Sequence, residues 1–329
     1  MRLSYIVAVL LWTLPARSEE IRIEIAHGVA SLLVGSRLLT ARDAPARFGQ
    51  PLKVDGHDLP GTLEVFAGPG KTLSAVNSLD LEDYVAAVVG SEVPASWPAE
   101  ALRAQAVAAR TFAVAQKVAQ GPGARAHLGA SVLDQVYKGT AHPAAAAARA
   151  ARETAGEVLT FGAAPIAAYF SASCGGASES AEAAFHLAAG TTPYLQGGEE
   201  DADEHGWTVK VPLRELDAAL RKRIGAEVRG VTIATRTASG RASALRIATS
   251  SGARPLPAVE LRQLLGYQRL PSLLFAVEMS NGEAVFRGRG SGHGVGLCQW
   301  GARGRALEGQ GYRDILAHYY PGAEIRRMY

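Results

Sequence analysis

The chain has 329 residues, 48% hydrophobic and 20% charged, which is enough apolar material for one large domain or two smaller ones. Its net charge of +3 carries no long run of one sign, which argues against the clustered basic surface of a nucleic-acid-binding protein.

The chain opens with Arg2, an apolar run of about 12 residues from Leu3 to Leu14, and small residues at Ala16 and Ser18. That is the layout of a secretory signal peptide over residues 1–18, cleaved after Ser18. The run falls short of the roughly 20 residues a spanning helix needs, so an uncleaved anchor is the weaker alternative. Removing it leaves 32 basic and 31 acidic residues, a net +1. The sequence therefore predicts an exported protein of the periplasm or cell envelope. There the two cysteines, Cys174 and Cys298, can form one disulfide if their glycine-rich surroundings meet; two buried thiols are the alternative.

Residues 19–78 read as a β-rich N-terminal region. Ile21-Arg22-Ile23-Glu24-Ile25 alternates with a period of two, and Asp55-Gly56 and Gly68-Pro69-Gly70 mark turns. Helical periodicity begins near Leu79. The spacing predicts one helix over residues 81–90 and a longer one after Ser96, an N-cap followed by Pro98 and stopped by Gly121. Its buried stripe would be Ala101, Ala104, Ala108, Phe112, Ala115 and Ala119, with Arg103, Arg110 and Lys117 on another side. A third helix spans residues 144–155, and residues 158–161 and 166–171 read as a hairpin. Residues 194–287 form a candidate β-rich insertion with hairpin turns at Ser239-Gly240 and Asn281-Gly282. A glycine-dense loop at 288–296 leads into helices from about Cys298 and from Tyr312 to Tyr320. Strands and helices mix without strict alternation, so the fold class is α+β, with a catalytic helical segment and residues 79–329 as the main domain.

Several motifs fail. The glycine-dense loop does not fit a dinucleotide fingerprint, so no nucleotide is expected. No nucleophile elbow surrounds Ser291. His293, Cys298, Cys174 and His205 can be imagined around zinc, but their spacing matches no known ligand pattern, and no metal or other cofactor is expected. What remains is Ser91-Glu92-Val93-Pro94-Ala95-Ser96-Trp97-Pro98. Glu92 sits between two helices among Val89, Val93, Pro94 and Trp97, and apolar surroundings raise a carboxyl pKa toward what a general acid needs. By composition alone, an exposed loop glutamate is the favoured reading of these residues.

That segment, with Asp83-Tyr84-Val85 before it and Glu100 through Ala113 after it, closely resembles the signature of the stage II sporulation protein D (SpoIID/LytB) family. The resemblance continues through Asp134-Gln135-Val136-Tyr137, Ala168 to Glu179, Gly288 to Ala302 and Tyr319-Tyr320-Pro321-Gly322, in the family's order. It implies action on peptidoglycan, either as a lytic transglycosylase preferring strands stripped of peptide stems or as the enhancer of a cell-wall amidase. It makes Glu92 the catalytic acid/base. It gives supporting contacts with the glycan to Trp97, Arg110, Gln135, Tyr137, Ser171, Ser173, Gly175, Gly176, His293 and Gln299. Some family members hold zinc through His and Cys just before the Q-V-Y motif. Here residues 128–134 contain neither, which argues against that metal site.

Overall fold

The computed structural model describes residues 19–129, 137, 143–200 and 206–329. Residues 1–18, where the sequence predicts a signal peptide, and Gln135 and His205 lie outside them. Among the described residues no helix is long and apolar enough to cross a membrane.

The fold is α+β. Its N-terminal part is built from two antiparallel β-layers. The alternating segment seen in the sequence lies within the strand Glu20–Val29, where Ile21 and Ile23 are fully buried and Glu20 is exposed. This strand pairs with Leu73–Asp80, which pairs in turn with Thr62–Ala67. A separate four-stranded sheet of Ser31–Val34, Arg37–Thr40, Leu52–Val54 and His57–Leu59 shares a small core with the first, in which Leu32, Leu39, Leu52 and Leu59 cluster with Leu63, Val65 and Leu73.

The strand Leu73–Asp80 runs directly into helix α1 (Leu81–Glu92), whose first turn is capped by Asp80 accepting from the Glu82 backbone N–H. Helix α2 (Ala99–Gln120) follows. Pro98, rather than Ser96, holds its N-cap position, and the backbone N–H of Trp97 closes a turn onto the Pro94 carbonyl. From Ala101 to Val114 nearly every α2 residue except Arg103 is buried. The expected single stripe is thus replaced by burial all round, because α1, helix α3 (Ala145–Glu153) and the strand Glu157–Phe161 enclose the helix. Its alanines make that possible by letting three backbones approach it closely.

The hairpin expected at residues 158–171 is shorter than its sequence implied. Only Ala164–Pro165 pairs with Glu157–Phe161, whose other neighbour is the C-terminal strand Glu324–Arg327. Phe170–Ser171 instead forms a parallel pair with Leu297–Cys298. After a short helix α4 (Ala181–Phe185) comes the inserted unit. It contains α5 (Leu213–Ile224), α6 (Ala258–Leu265) and two three-stranded antiparallel sheets around a separate core of Leu216, Leu220, Val231, Leu245, Leu261 and Phe286. The chain then returns through the glycine-dense loop to α7 (Gln299–Leu307) and α8 (Tyr312–Tyr319), both packed on α2.

Candidate active site

Helix α1 determines where Glu92 points. Val85, Val88 and Val89 are fully buried, and Glu92 continues their face three and four residues later, as the last residue of the helix. It is therefore half-buried rather than swept into solvent. The carbonyl end of a helix is unfavourable to a negative charge, so a donor is needed where Glu92 ionises.

Gln299 supplies that donor. Its Nε2 donates to Glu92 Oε2 at 3.2 Å and to Gln105 Oε1, in the second turn of α2, at 3.4 Å. Gln299 is the first residue of α7, and two features hold it there. The strand Leu297–Cys298 is paired with Phe170–Ser171, and Cys298 caps the helix through its sulfur, which accepts from the Gly301 N–H at 3.4 Å. Beside them Trp97 and Trp300 meet edge to face with ring centroids 5.2 Å apart, both partly exposed, and the Arg303 guanidinium lies over the Trp300 ring. Residues far apart in sequence thus join one carboxylate, a chain of amides and an aromatic pair. Gln105 and Trp300 were not singled out in the sequence; a lone amide amid the buried alanines of α2 was the available sign of the first.

Several residues that the resemblance assigned to the glycan are internal. Arg110 is fully buried and donates to both carboxylate oxygens of Glu82, at 2.8 and 2.5 Å, and to the carbonyls of Ala151 and Glu157. Tyr137 is buried against Tyr84 and donates to Asn77 Oδ1 at 2.7 Å, and its burial pushes the phenol pKa upward. Neither side chain has a face to offer a sugar. Ser171 and Ser173 are buried too: Ser171 Oγ accepts from the Gly294 N–H, and Ser173 pairs backbone to backbone with Ser291. Gly175 serves the contact between the two loops, since a Cβ there would sit 2.9 Å from the Gly290 nitrogen. Gly176, at φ +88°, uses its carbonyl to accept from the Glu200 N–H.

His293 packs edge-on against Tyr169 and Phe185, and its Nδ1 accepts from the Val295 N–H at 2.9 Å. Burial, reinforced by Arg262 and Arg241, lowers its pKa to about 4, so the ring is neutral near pH 7. Cys174 and Cys298 do come together, as the sequence allowed, but as two buried thiols and not as a disulfide. The Cys298 sulfur accepts from the Cys174 N–H at 3.2 Å, and the neighbouring thiol and burial both push its pKa up. Among the described residues no three His, Cys, Asp or Glu side chains cluster as metal ligands would.

The insertion is fastened to this centre by a second polar cluster. Arg241 donates to the carbonyls of Cys174 and Ala177, each at 2.7 Å, and lies so close to Gly294 that a Cβ there would be 2.0 Å from its Nη2. Buried Glu179 accepts from Ser239 at 2.8 Å and from Thr237.

Comparisons with known proteins match two stretches of the chain. Residues 69–161 match the family described as Stage II sporulation protein, and residues 189–296 match a domain of unknown function, DUF8618. The chain is 33% identical over 267 residues to the Stage II sporulation protein D of Bacillus subtilis, covering 76% of each chain. An uncharacterized protein of Brachyspira hyodysenteriae is 34% identical over 277 residues, covering 83% of this chain and 73% of the other. The Amidase enhancer of Bacillus subtilis is 28% identical over 289 residues, 72% of this chain but only 39% of that longer protein. On these grounds the chain belongs to the stage II sporulation protein D family.

Proposed function

We propose that this protein is an exported lytic transglycosylase that cuts peptidoglycan glycan strands between N-acetylmuramic acid and N-acetylglucosamine, with Glu92 as its single general acid/base. The observation that carries this reading is the half-buried Glu92 receiving an amide N–H from Gln299 beside the Trp97–Trp300 pair. A part-buried contact across so much sequence holds one carboxylate in one orientation, as acid/base chemistry requires.

One carboxylate suffices if the nucleophile belongs to the substrate. Glu92 gives its proton to the glycosidic oxygen as the bond from the muramic acid C1 breaks. The C6 hydroxyl of the same sugar then bonds to C1 and returns its proton to Glu92. The product ends in 1,6-anhydro-muramic acid, no water is consumed, and the enzyme recovers its starting protonation. Intramolecular attack gains the proximity advantage that a hydrolase obtains from a second carboxylate and a placed water. Gln299 donates to the ionised form that exists between the two proton transfers. Trp97 and Trp300 offer a partly exposed aromatic wall for a sugar face.

The likeness to an amidase enhancer supports a second reading, in which the protein binds glycan strands and stimulates a cell-wall amidase without cutting them. Incubating the mature protein with strands that carry or lack peptide stems, alone and with a cell-wall amidase, separates the two. Anhydro ends without any amidase support the transglycosylase. Intact strands together with faster stem release by the amidase support the enhancer.

A further inference from the structure

We propose that Gln105 is a positioning residue that acts on Glu92 through Gln299; the inference rests on the reading of Glu92 as the acid/base. Gln299 Nε2 lies 3.2 Å from Glu92 Oε2 and 3.4 Å from Gln105 Oε1. A primary amide nitrogen carries two N–H groups, so it serves both acceptors at once. Gln105 thereby fixes which end of the Gln299 amide faces the carboxylate.

The surroundings of Gln105 mark it as more than a packing residue. It is 1% exposed, with Ala104, Ala106, Ala108 and Ala109 buried beside it on α2. Its own Nε2 is buried and has no hydrogen-bond partner among the described residues. A methionine or leucine would fill such a place without burying an unmatched donor, which is costly. The amide's other end explains its presence, because the oxygen is what Gln299 requires.

The three groups fix one another's orientation. If Gln105 turned over, its nitrogen would face the Gln299 nitrogen, donor against donor. If Gln299 turned over as well, its oxygen would face an ionised carboxylate with no proton between them. An ionised Glu92 therefore selects the observed arrangement. Once Glu92 is protonated the whole chain can reverse: its O–H donates to Gln299 Oε1, and Gln105 Nε2 gains in the same oxygen the acceptor it lacks. An acid/base residue that alternates between two protonation states thus finds a matched network in each.

Gln105→Leu removes the acceptor of the second Gln299 N–H and releases the amide to rotate. Ionised Glu92 loses the donor held for it, so its carboxyl should titrate about one pH unit higher. The test follows the Glu92 side-chain carboxyl by ¹³C NMR in the wild type, Gln105→Leu, Gln299→Leu and the double variant, with Gln105→Met as a second, volume-conserving substitution. The relay predicts that each Gln105 variant titrates higher than wild type. It also predicts that adding Gln105→Leu to Gln299→Leu moves the carboxyl no further. Wild-type titration in the Gln105 variants, or a full second shift on top of Gln299→Leu, overturns the relay. The titration needs no turnover. A wild type that cuts no glycan while showing the shifts would overturn the acid/base reading and leave the relay standing.

Discussion

Arg110 and Glu82 form a two-pronged ion pair between α2 and α1, with Arg110 Nε and Nη2 at 2.8 and 2.5 Å from the two carboxylate oxygens. The same carboxylate accepts from the Gly156 N–H at 3.2 Å and from the hydroxyl of the final residue, Tyr329, at 2.6 Å. One buried arginine therefore ties the first helix of the site, the end of the third and the end of the chain together.

That role separates stability from activity. Arg110→Ala leaves Glu82 without its cation and several buried carbonyls without a donor, which should cost about 3–5 kcal/mol in urea unfolding. Arg110→Lys should recover only part of this, because an ammonium cannot bond both oxygens in the guanidinium geometry. Glycan affinity of the fraction still folded should stay within about twofold of wild type. A large loss of affinity in a fully stable variant would return Arg110 to the binding site.

Cys298 is expected to behave as a helix cap. In the unfolded, unreduced protein both cysteines should react with a thiol reagent, and labelling of neither would indicate a bridge. Cys298→Ala removes the sulfur that accepts from the Gly301 and Cys174 N–H groups, and should lower stability by about 1 kcal/mol. Because α7 begins at Gln299, the same change should also weaken turnover at fixed protein concentration.

Two histidines with lowered pKa values should give the protein an acid-side weakness. His293 and His127 both have pKa values lowered to about 4, chiefly by burial, with nearby arginines adding to it. Unfolded, each takes up a proton near its ordinary value of 6.5, so the unfolded chain binds protons first as the pH falls. Their contribution to stability is complete above about pH 6.5 and is lost progressively toward pH 4. Urea midpoints measured from pH 7.5 to 4.5 should fall across that window, and His293→Gln or His127→Gln should each flatten the fall.

Local signals in the sequence located most of the helices and turns. Gly121 ends α2, Pro321-Gly322 follows α8, and Ser239-Gly240 and Asn281-Gly282 turn the hairpins of the insertion. What local pattern could not supply was partnership. Arg110 recurs with Arg103 and Lys117 every seven residues and so looked like part of a polar side. Its partner Glu82 is 28 residues away on another helix. Phe170–Ser171 carries no mark of its pairing with Leu297–Cys298, since a parallel pair of two residues has no turn to announce it. The glutamate was legible through its motif, but Gln299 came to bridge it to Gln105 only when α7 was laid against α2.

The role of Glu92 is read out by comparing the wild-type protein with Glu92→Gln on stem-free glycan strands, with the ends of the products identified by mass spectrometry. The amide keeps the shape of the side chain and can neither give nor take the proton. A single acid/base at Glu92 gives 1,6-anhydro-muramic acid ends from the wild type, about a thousandfold fewer from an equally stable variant, and similar glycan binding by both. Anhydro ends produced at comparable rates by Glu92→Gln would contradict it.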